Sequence, residues 1–289
     1  MTIRDLGYKP YEGVRLPPKH NTIVMLRHGL SRAWGSWLVK IAGFLCWVPT
    51  IIALFLLGGR WWLTTQVMQG GGGGMEPEPL DGGDFVHSLL GWQVWLFCLL
   101  VTLGAGASAI SEDLAFRAFQ FYFAKPVTPP QYLFGRILAV AIWVFSLTFF
   151  PALIVILVIV GTAPEDLRLE SLGLLFPALV HSVLISAVMS VGSVAVSALS
   201  NSRALTMSAW ILLFVVPWVL ATIVFEVGEW PWLKLVSIPA LLGVVGDALF
   251  KVAREDDLSW WYALPILVGF TAGGLWYALQ KLRKAEVIT

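Results

Sequence analysis

The sequence has little charge and little cysteine. Only 13% of its 289 residues are charged and 58% are hydrophobic, whereas soluble domains carry about 25% charged residues. With a mean hydropathy of +0.79, this composition excludes a soluble domain and indicates a polytopic membrane protein. Cys46 and Cys98 both lie inside apolar runs, so we expect buried free thiols and neither a disulfide nor a metal pair.

Sequence motifs of nucleotide-binding, metal-binding and catalytic sites are also absent. The chain has no G-x-x-x-x-G-K-[ST] phosphate loop, no H-E-x-x-H or G-x-S-x-G motif and no closely spaced cysteine pair. No predicted span carries Asp, Glu, Lys or Arg near its middle, where proton-coupled transporters and membrane enzymes need ionisable groups. We therefore expect no enzyme activity and no cofactor, metal or nucleic acid on this chain.

Six apolar runs are long enough to cross a bilayer, which takes roughly 20 residues of helix. They cover residues 37–59, 90–109, 134–161, 172–200, 204–225 and 260–280. The sequence predicts an all-α polytopic fold in which residues 37–289 form a six-span domain. Pro49 predicts a kink in the first span.

Residues 1–36 precede this domain and are expected to form a polar cytoplasmic tail followed by an amphipathic helix. Apolar residues recur there at helical spacing, with basic and polar residues between them. Such a helix is suited to lie along an anionic leaflet of the bilayer. The alternative is that it is only the solvated start of the first span. The apolar residues are Ile23, Leu26, Leu30, Trp34 and Trp37, and the polar ones Arg27, His28, Ser31 and Arg32.

Two connections differ from ordinary short loops. Residues 64–84 include five consecutive glycines and several acids, which predicts a solvated, flexible spacer. Residues 226–259 contain an apolar run at 235–245 that is too short to cross the membrane. A run of that length predicts a re-entrant or interfacial segment before the sixth span.

Serines recur along the fourth span at intervals of three or four residues, so they share one helical face. They are Ser182, Ser186, Ser190, Ser193 and Ser197. A face of small residues permits close helix packing, but it could instead line a transport path. His181 begins this face near the far side of the membrane, where the span starts, and we leave open whether it or the serines contact a cargo.

The loop at residues 111–136 combines charge, aromatics and proline. Ser111 is suited to act as a helix N-cap, and Glu112 and Asp113 follow where a helix N-terminus favours negative charge. Residues 114–124 contain no glycine or proline and predict a short aromatic helix. Lys125 lies at its end, and the prolines that follow terminate it.

The basic residues predict the orientation of the spans. With both termini on one side, 14 of the 19 Lys and Arg residues lie on that side. Basic residues are enriched in cytoplasmic loops, so both termini and the loop at 111–136 are predicted to face the cytoplasm.

The order of features in this loop resembles the ABC-2 type permeases, the membrane subunits of bacterial ABC exporters of the type V kind. The features are an acid pair, an aromatic segment, A-K-P-V-T-P, Q-Y-L-F-G-R and then a long apolar helix. A weaker similarity is P-A-L-L-G-V-V-G-D-A-L-F at residues 239–250. In that family the loop forms a coupling helix that docks on an ATPase subunit, and an outer re-entrant segment precedes the last span.

The resemblance implies a multi-pass permease in the bacterial inner membrane, acting as a homodimer or with a related chain. Two ATPase subunits would hold the ATP and magnesium. Residues implied to contact them are Glu112, Asp113, Phe116, Arg117, Phe119, Phe121, Phe123 and Lys125. The alternatives are that the loop lies on its own bilayer surface, or that the chain is a non-transporting scaffold or sensor subunit. The cargo stays open.

Overall fold

The structure, a computed structural model, describes residues 20–69, 81–119, 122, 127–228, 231–253 and 258–287. Within these ranges it contains helices and turns and no strand. Six helical stretches are long and apolar enough to span a membrane, which confirms an all-α, multi-pass membrane protein. In chain order, these first to sixth spans are Trp37–Gln66, Gly82–Ala115, Pro129–Thr162, Arg168–Ser197, Arg203–Ile223 and Trp260–Lys284. The predicted tail at 1–19 and the glycine run at 70–74 lie outside the described residues.

The N-terminal helix, Asn21–Gly35, lies against the third span. Glycines permit this approach, since a Cβ added to Gly135 would lie 2.5 Å from the Cβ of Met25. Ser36 has extended backbone (φ −75°, ψ 130°) and separates this helix from the first span. The amphipathic pattern thus predicts a helix where the structure has one, and that helix is distinct from the first span.

The first span is interrupted at Cys46, between Trp37–Leu45 and Trp47–Gln69. Pro49 has no N–H to donate to the carbonyl of Leu45, which weakens the helix at this point. The break therefore falls three residues before the proline where the kink was predicted. The side chain of Gln93 on the second span donates to the Cys46 carbonyl at 3.0 Å and joins the two spans there.

The second span is longer and less regular than predicted. It begins at Gly82 because the side chain of Asp81 accepts hydrogen bonds from the backbone of Gly83 and Asp84. After Gly82–Trp92 it contains two π-helical turns, Gln93–Cys98 and Thr102–Gly106, separated by Leu99–Val101. It is also the most buried span, with 72% of its most apolar window buried, compared with 17% for the sixth.

The remaining four spans are α-helices with the following bounds. The third begins at Pro129 with a capping box between Thr128 and Gln131. The fourth consists of Arg168–Gly173 and Leu175–Ser197, the fifth helix runs Arg203–Gly228, and the sixth runs Trp260–Val287. The fourth span packs against the second, third, fifth and sixth spans. It therefore lies at the centre of the bundle.

A short helix, Ile238–Phe250, follows a 3-10 turn at Pro231–Val236. Ser237 caps it by accepting a hydrogen bond from the backbone of Ala240, and Lys251 ends it in a left-handed conformation (φ 58°). Its 13 residues are too few to cross a bilayer, as the length of the apolar run at 235–245 predicted. It packs against the second, fourth, fifth and sixth spans. Residues 229, 230 and 254–257 lie outside the described residues.

Candidate functional site at the loop between the second and third spans

The second span continues into the loop as a single helical turn, Ser111–Ala115. Ser111 was predicted to be the N-cap, but this is wrong because Ile110 occupies that position and the Ser111 hydroxyl donates to the carbonyl of Ala107. A continuous helix over 114–124 is also wrong. The chain turns at residues 116–118, where Arg117 adopts a left-handed conformation (φ 52°).

The two loop carboxylates form a polar network with three arginines and a tyrosine. Its members are Arg32, Glu112, Asp113, Tyr132, Arg136 and Arg203. Asp113 accepts from Arg32 Nη1 at 3.0 Å and from Arg136 Nη2 at 2.6 Å. It also accepts a short hydrogen bond from the hydroxyl of Tyr132.

Glu112 extends the network to two further elements. One carboxylate oxygen contacts Arg32 of the N-terminal helix, and the other lies 3.1 Å from Arg203 at the start of the fifth span. With Arg136 from the third span, the acid pair therefore connects four helical elements at one end of the bundle. These are the N-terminal helix and the second, third and fifth spans.

The ion pair between Asp113 and Arg136 is the most deeply buried pair of the network. The side chain of Arg136 is only 2% exposed and that of Asp113 only 8%. A buried charge is strongly unfavourable without its partner, and removing one member of such a pair typically costs about 3–5 kcal/mol. The contact between Arg203 and Glu112 is more exposed and is worth about 1 kcal/mol or less.

Aromatic rings cover the buried side of the network. Phe119 is buried, and its ring centre lies 5.3 Å from that of Tyr132. Tyr122 packs against both rings. Its partial burial raises the pKa of the Tyr122 hydroxyl, and the nearby negative charge of Asp113 raises it further. Phe119, which the resemblance implies as an ATPase contact, thus packs inside this chain.

Phe116 faces outward at the turn formed by residues 116–118. Its side chain is 79% exposed, directly before the left-handed Arg117, which is also exposed. The other predicted contacts, Phe121, Phe123 and Lys125, lie outside the described residues. The described loop therefore presents one large apolar side chain on a turn whose base is fixed by the polar network.

The N-terminal helix contributes to the site differently from what the sequence pattern indicated. Arg32 was assigned to a basic face toward lipid, but it turns inward and pairs with Glu112 and Asp113. His28 on the same helix is only partly exposed. Partial burial lowers the pKa of His28, and the positive charges of Arg136 and Arg32 lower it further.

The serine face of the fourth span is buried against neighbouring elements. All five predicted serines are at most 7% exposed. A Cβ added to Gly106 would lie 2.7 Å from the Cβ of Ser193, so the second and fourth spans approach closely there. The Ser197 hydroxyl accepts a hydrogen bond from the backbone of Ile110 at 3.0 Å, directly before the loop.

A second polar group, the histidine cluster, lies at the opposite end of the bundle and comprises His87, His181 and Asp247. His87 Nε2 lies 2.9 Å from Asp247, and the two histidine rings stack with centres 5.8 Å apart. His181 Nε2 lies 3.1 Å from the carbonyl of Leu242; since a carbonyl only accepts, that nitrogen carries the hydrogen. Among the described residues, no group of three His, Cys, Asp or Glu side chains is placed to hold a metal ion.

Sequence reasoning found the acids of the polar network but missed their partners. Tyr132 and Arg136 are four residues apart and so share a helical face, which was a usable signal. Arg32 and Arg203 gave no such signal, because each is about 80–90 positions from the acids in sequence. His87 was missed because the second span was predicted to begin after it.

Neither family models nor curated proteins offer a match to this chain.

Proposed function

We propose that the chain is the permease subunit of an ATP-binding-cassette exporter in a bacterial inner membrane. Both termini would be cytoplasmic, and the loop at 111–136 would dock on a separate ATPase subunit. The observation that supports this proposal best is the exposed Phe116 turn together with the polar network at its base. The resemblance of the loop to the ABC-2 family is the second support.

The polar network gives a physical route from the loop to the spans. A force applied at Phe116 acts on Glu112 and Asp113, which are ion-paired to the N-terminal helix and the third and fifth spans. Because the pair of Asp113 and Arg136 is buried, these elements move together more easily than they separate. Closure of the ATPase subunits would then shift several spans at once.

The ATP and magnesium would lie on the ATPase, of which two copies would clamp a dimer of permease chains. Phe116 would fill an apolar site on the ATPase, and Arg117 would contact an acidic side chain next to it. The dimer would form from two copies of this chain or from this chain and a related one. Its transport path would lie between the two chains, since the serine face is already packed within one chain.

Capture of the ATPase tests this proposal. The full chain, as wild type or as Phe116→Asp, is expressed with the phosphate-loop ATPases of neighbouring genes and purified through a tag on the chain. Phe116→Asp is expected to lower ATPase recovery by roughly tenfold, since burying an unpaired charge at an interface opposes binding. Leu169→Asp is the matched control, because Leu169 is similarly exposed (82%) but lies at the other end of the bundle. Undiminished capture by Phe116→Asp would contradict docking.

A non-transporting scaffold or sensor subunit is the second candidate. The packed serine face favours it, because that face lines no path through a single chain while its serines are buried. The two candidates differ in vesicles that contain the chain and its ATPase. An exporter accumulates a cargo inside inverted vesicles when ATP is added, whereas a scaffold shows neither accumulation nor cargo-stimulated ATP hydrolysis.

A further inference from the structure

A cleft opens between the N-terminal helix, the first span and the third span. Its volume is about 310 Å³. At one end Trp34 stacks on Trp143, with ring centres 5.3 Å apart and planes 10° from parallel. Residues lining the rest are mostly apolar and include Phe44, Trp47, Leu147 and Phe150. We call it the tryptophan cleft.

Lys40 is the cation of this cleft. It lines the cleft, is exposed and has no ion-pair partner in the part of the chain that the structure describes. Residues 20–69 and 129–162, which include both spans that form the walls, contain no Asp or Glu. Arg32 and Arg136 are already paired with loop acids. The charge of Lys40 is therefore complementary to an anion that the described part of the chain does not supply.

The cleft also has space for a ligand. Gly43 lines it, and a Cβ added there would meet nothing within 4 Å. Gly43 follows Lys40 by three residues and so lies on the same face of the first span. The cleft thus has free space beside its cation.

The order of residues gives the cleft a polar end and an apolar end. The first and third spans run in the same direction across the bundle, so Lys40 and Trp143 lie at one end, and Trp47 and Phe150 at the other. The separation of seven positions on each helix corresponds to roughly 10 Å. This arrangement suits an amphipathic molecule whose anionic group lies beside the N-terminal helix and whose chain follows the spans.

We propose that the tryptophan cleft binds one anionic phospholipid. The ammonium of Lys40 pairs with the lipid phosphate, and one acyl chain fills the cleft toward Phe150. Basic pockets between spans are known to recognise such headgroups. An anionic lipid is favoured over a zwitterionic one because the walls carry positive charge with no acid to pair the second headgroup charge. This inference stands independently of the exporter function.

Native mass spectrometry of the full chain tests the proposal. The protein is purified from vesicles of equal parts phosphatidylglycerol and phosphatidylcholine, and the lipids retained on each chain are counted. Lys40→Gln removes the charge, and Gly43→Leu places an apolar side chain in the cleft from a Cβ that meets nothing within 4 Å. The controls lie on the same span: Arg60→Gln removes a cation elsewhere, and Gly59→Leu adds the same side chain where a Cβ also meets nothing.

The wild type is expected to retain one phosphatidylglycerol, and Lys40→Gln to lower that occupancy roughly fivefold. Gly43→Leu is expected to lower it at least as much, while both controls retain the lipid. Equal retention of phosphatidylcholine, or wild-type occupancy in both cleft variants, would overturn the proposal. Displacement of the lipid by inorganic phosphate would also overturn it. A change in the mass of the oligomer with Gly43→Leu would overturn it as well, because it would indicate that a second chain occupies the cleft.

Discussion

The two ends of the helical bundle join their elements in different ways. At the loop end, two carboxylates meet three arginines, and the polar network connects four helical elements. At the opposite end, the histidine cluster has a single acid contact, between His87 and Asp247, and otherwise depends on stacked rings. The arginines stay charged at all physiological pH values, whereas the contact of His87 is an ion pair only when the ring is protonated.

This difference indicates how each end holds its elements together. Charge pairs that bridge several elements hold them in one arrangement, and breaking the buried pair leaves an unpaired charge. The histidine cluster instead connects the short helix to the second and fourth spans through close packing around Gly246. We therefore expect the loop end to be sensitive to charge changes and the histidine end to be sensitive to volume changes.

The largest effect is expected for Asp113→Asn, which keeps the shape of the side chain and removes its charge. Arg136 would then be buried without its partner, so the free energy of unfolding should fall by about 3–5 kcal/mol. Thermal unfolding of the purified protein in detergent measures this. Glu112→Gln is the control in the same turn, and its more exposed pairs predict a loss of about 1 kcal/mol. Equal losses in the two variants would contradict the central role of the buried pair.

An intermediate effect is expected for Gly246→Ala at the histidine end. The added Cβ would lie 2.4 Å from Cε1 of His87 and 2.6 Å from Cε1 of His181, so both rings must move. Overpacking of this kind typically costs about 1–3 kcal/mol. Gly243→Ala in the same helix meets nothing within 4 Å, so it should be neutral or slightly stabilising. Equal unfolding temperatures for the two variants would show that the rings of His87 and His181 do not oppose a larger side chain at residue 246.

The smallest effect concerns pH and His28. Burial and two arginines lower the pKa of His28 in the folded chain, so the unfolded chain takes up the proton first as pH falls. Above the usual pKa of 6.5 the ring is neutral in both states, whereas below that value the unfolded chain binds the proton more tightly and the fold loses stability. The unfolding temperature of wild type relative to His28→Gln should thus be higher at about pH 7.5 than at about pH 5.5. A relative change in the opposite direction would contradict the assigned surroundings of His28.

The sequence predicted the parts of the fold that depend on local composition. Six spans and a helix too short to cross follow from the lengths of apolar runs, because the bilayer sets a minimum length. The extent of the second span was missed, since its cap at Asp81 lies in an acidic stretch that resembled a spacer. Its two π-helical turns, Gln93–Cys98 and Thr102–Gly106, also had no signal in the sequence.

The candidate site was also predicted only in part. The exposed Phe116 and the acid pair were identified from the loop itself. The burial of Phe119 and the inward turn of Arg32 depend on contacts with Tyr132 and with the acids, which come from other elements. The turn at Arg117 could not be predicted, because a left-handed arginine has no signature in the sequence.

The proposed docking requires the Phe116 turn to face the cytoplasm and to be covered by an ATPase. The most direct test is labelling of Phe116→Cys by a membrane-impermeant maleimide, since the native Cys46 and Cys98 are buried and contribute little background. The account predicts labelling in inside-out vesicles, no labelling in intact cells, and slower labelling in the vesicles once the ATPase is added. Labelling in intact cells, or an unchanged rate with the ATPase present, would contradict it.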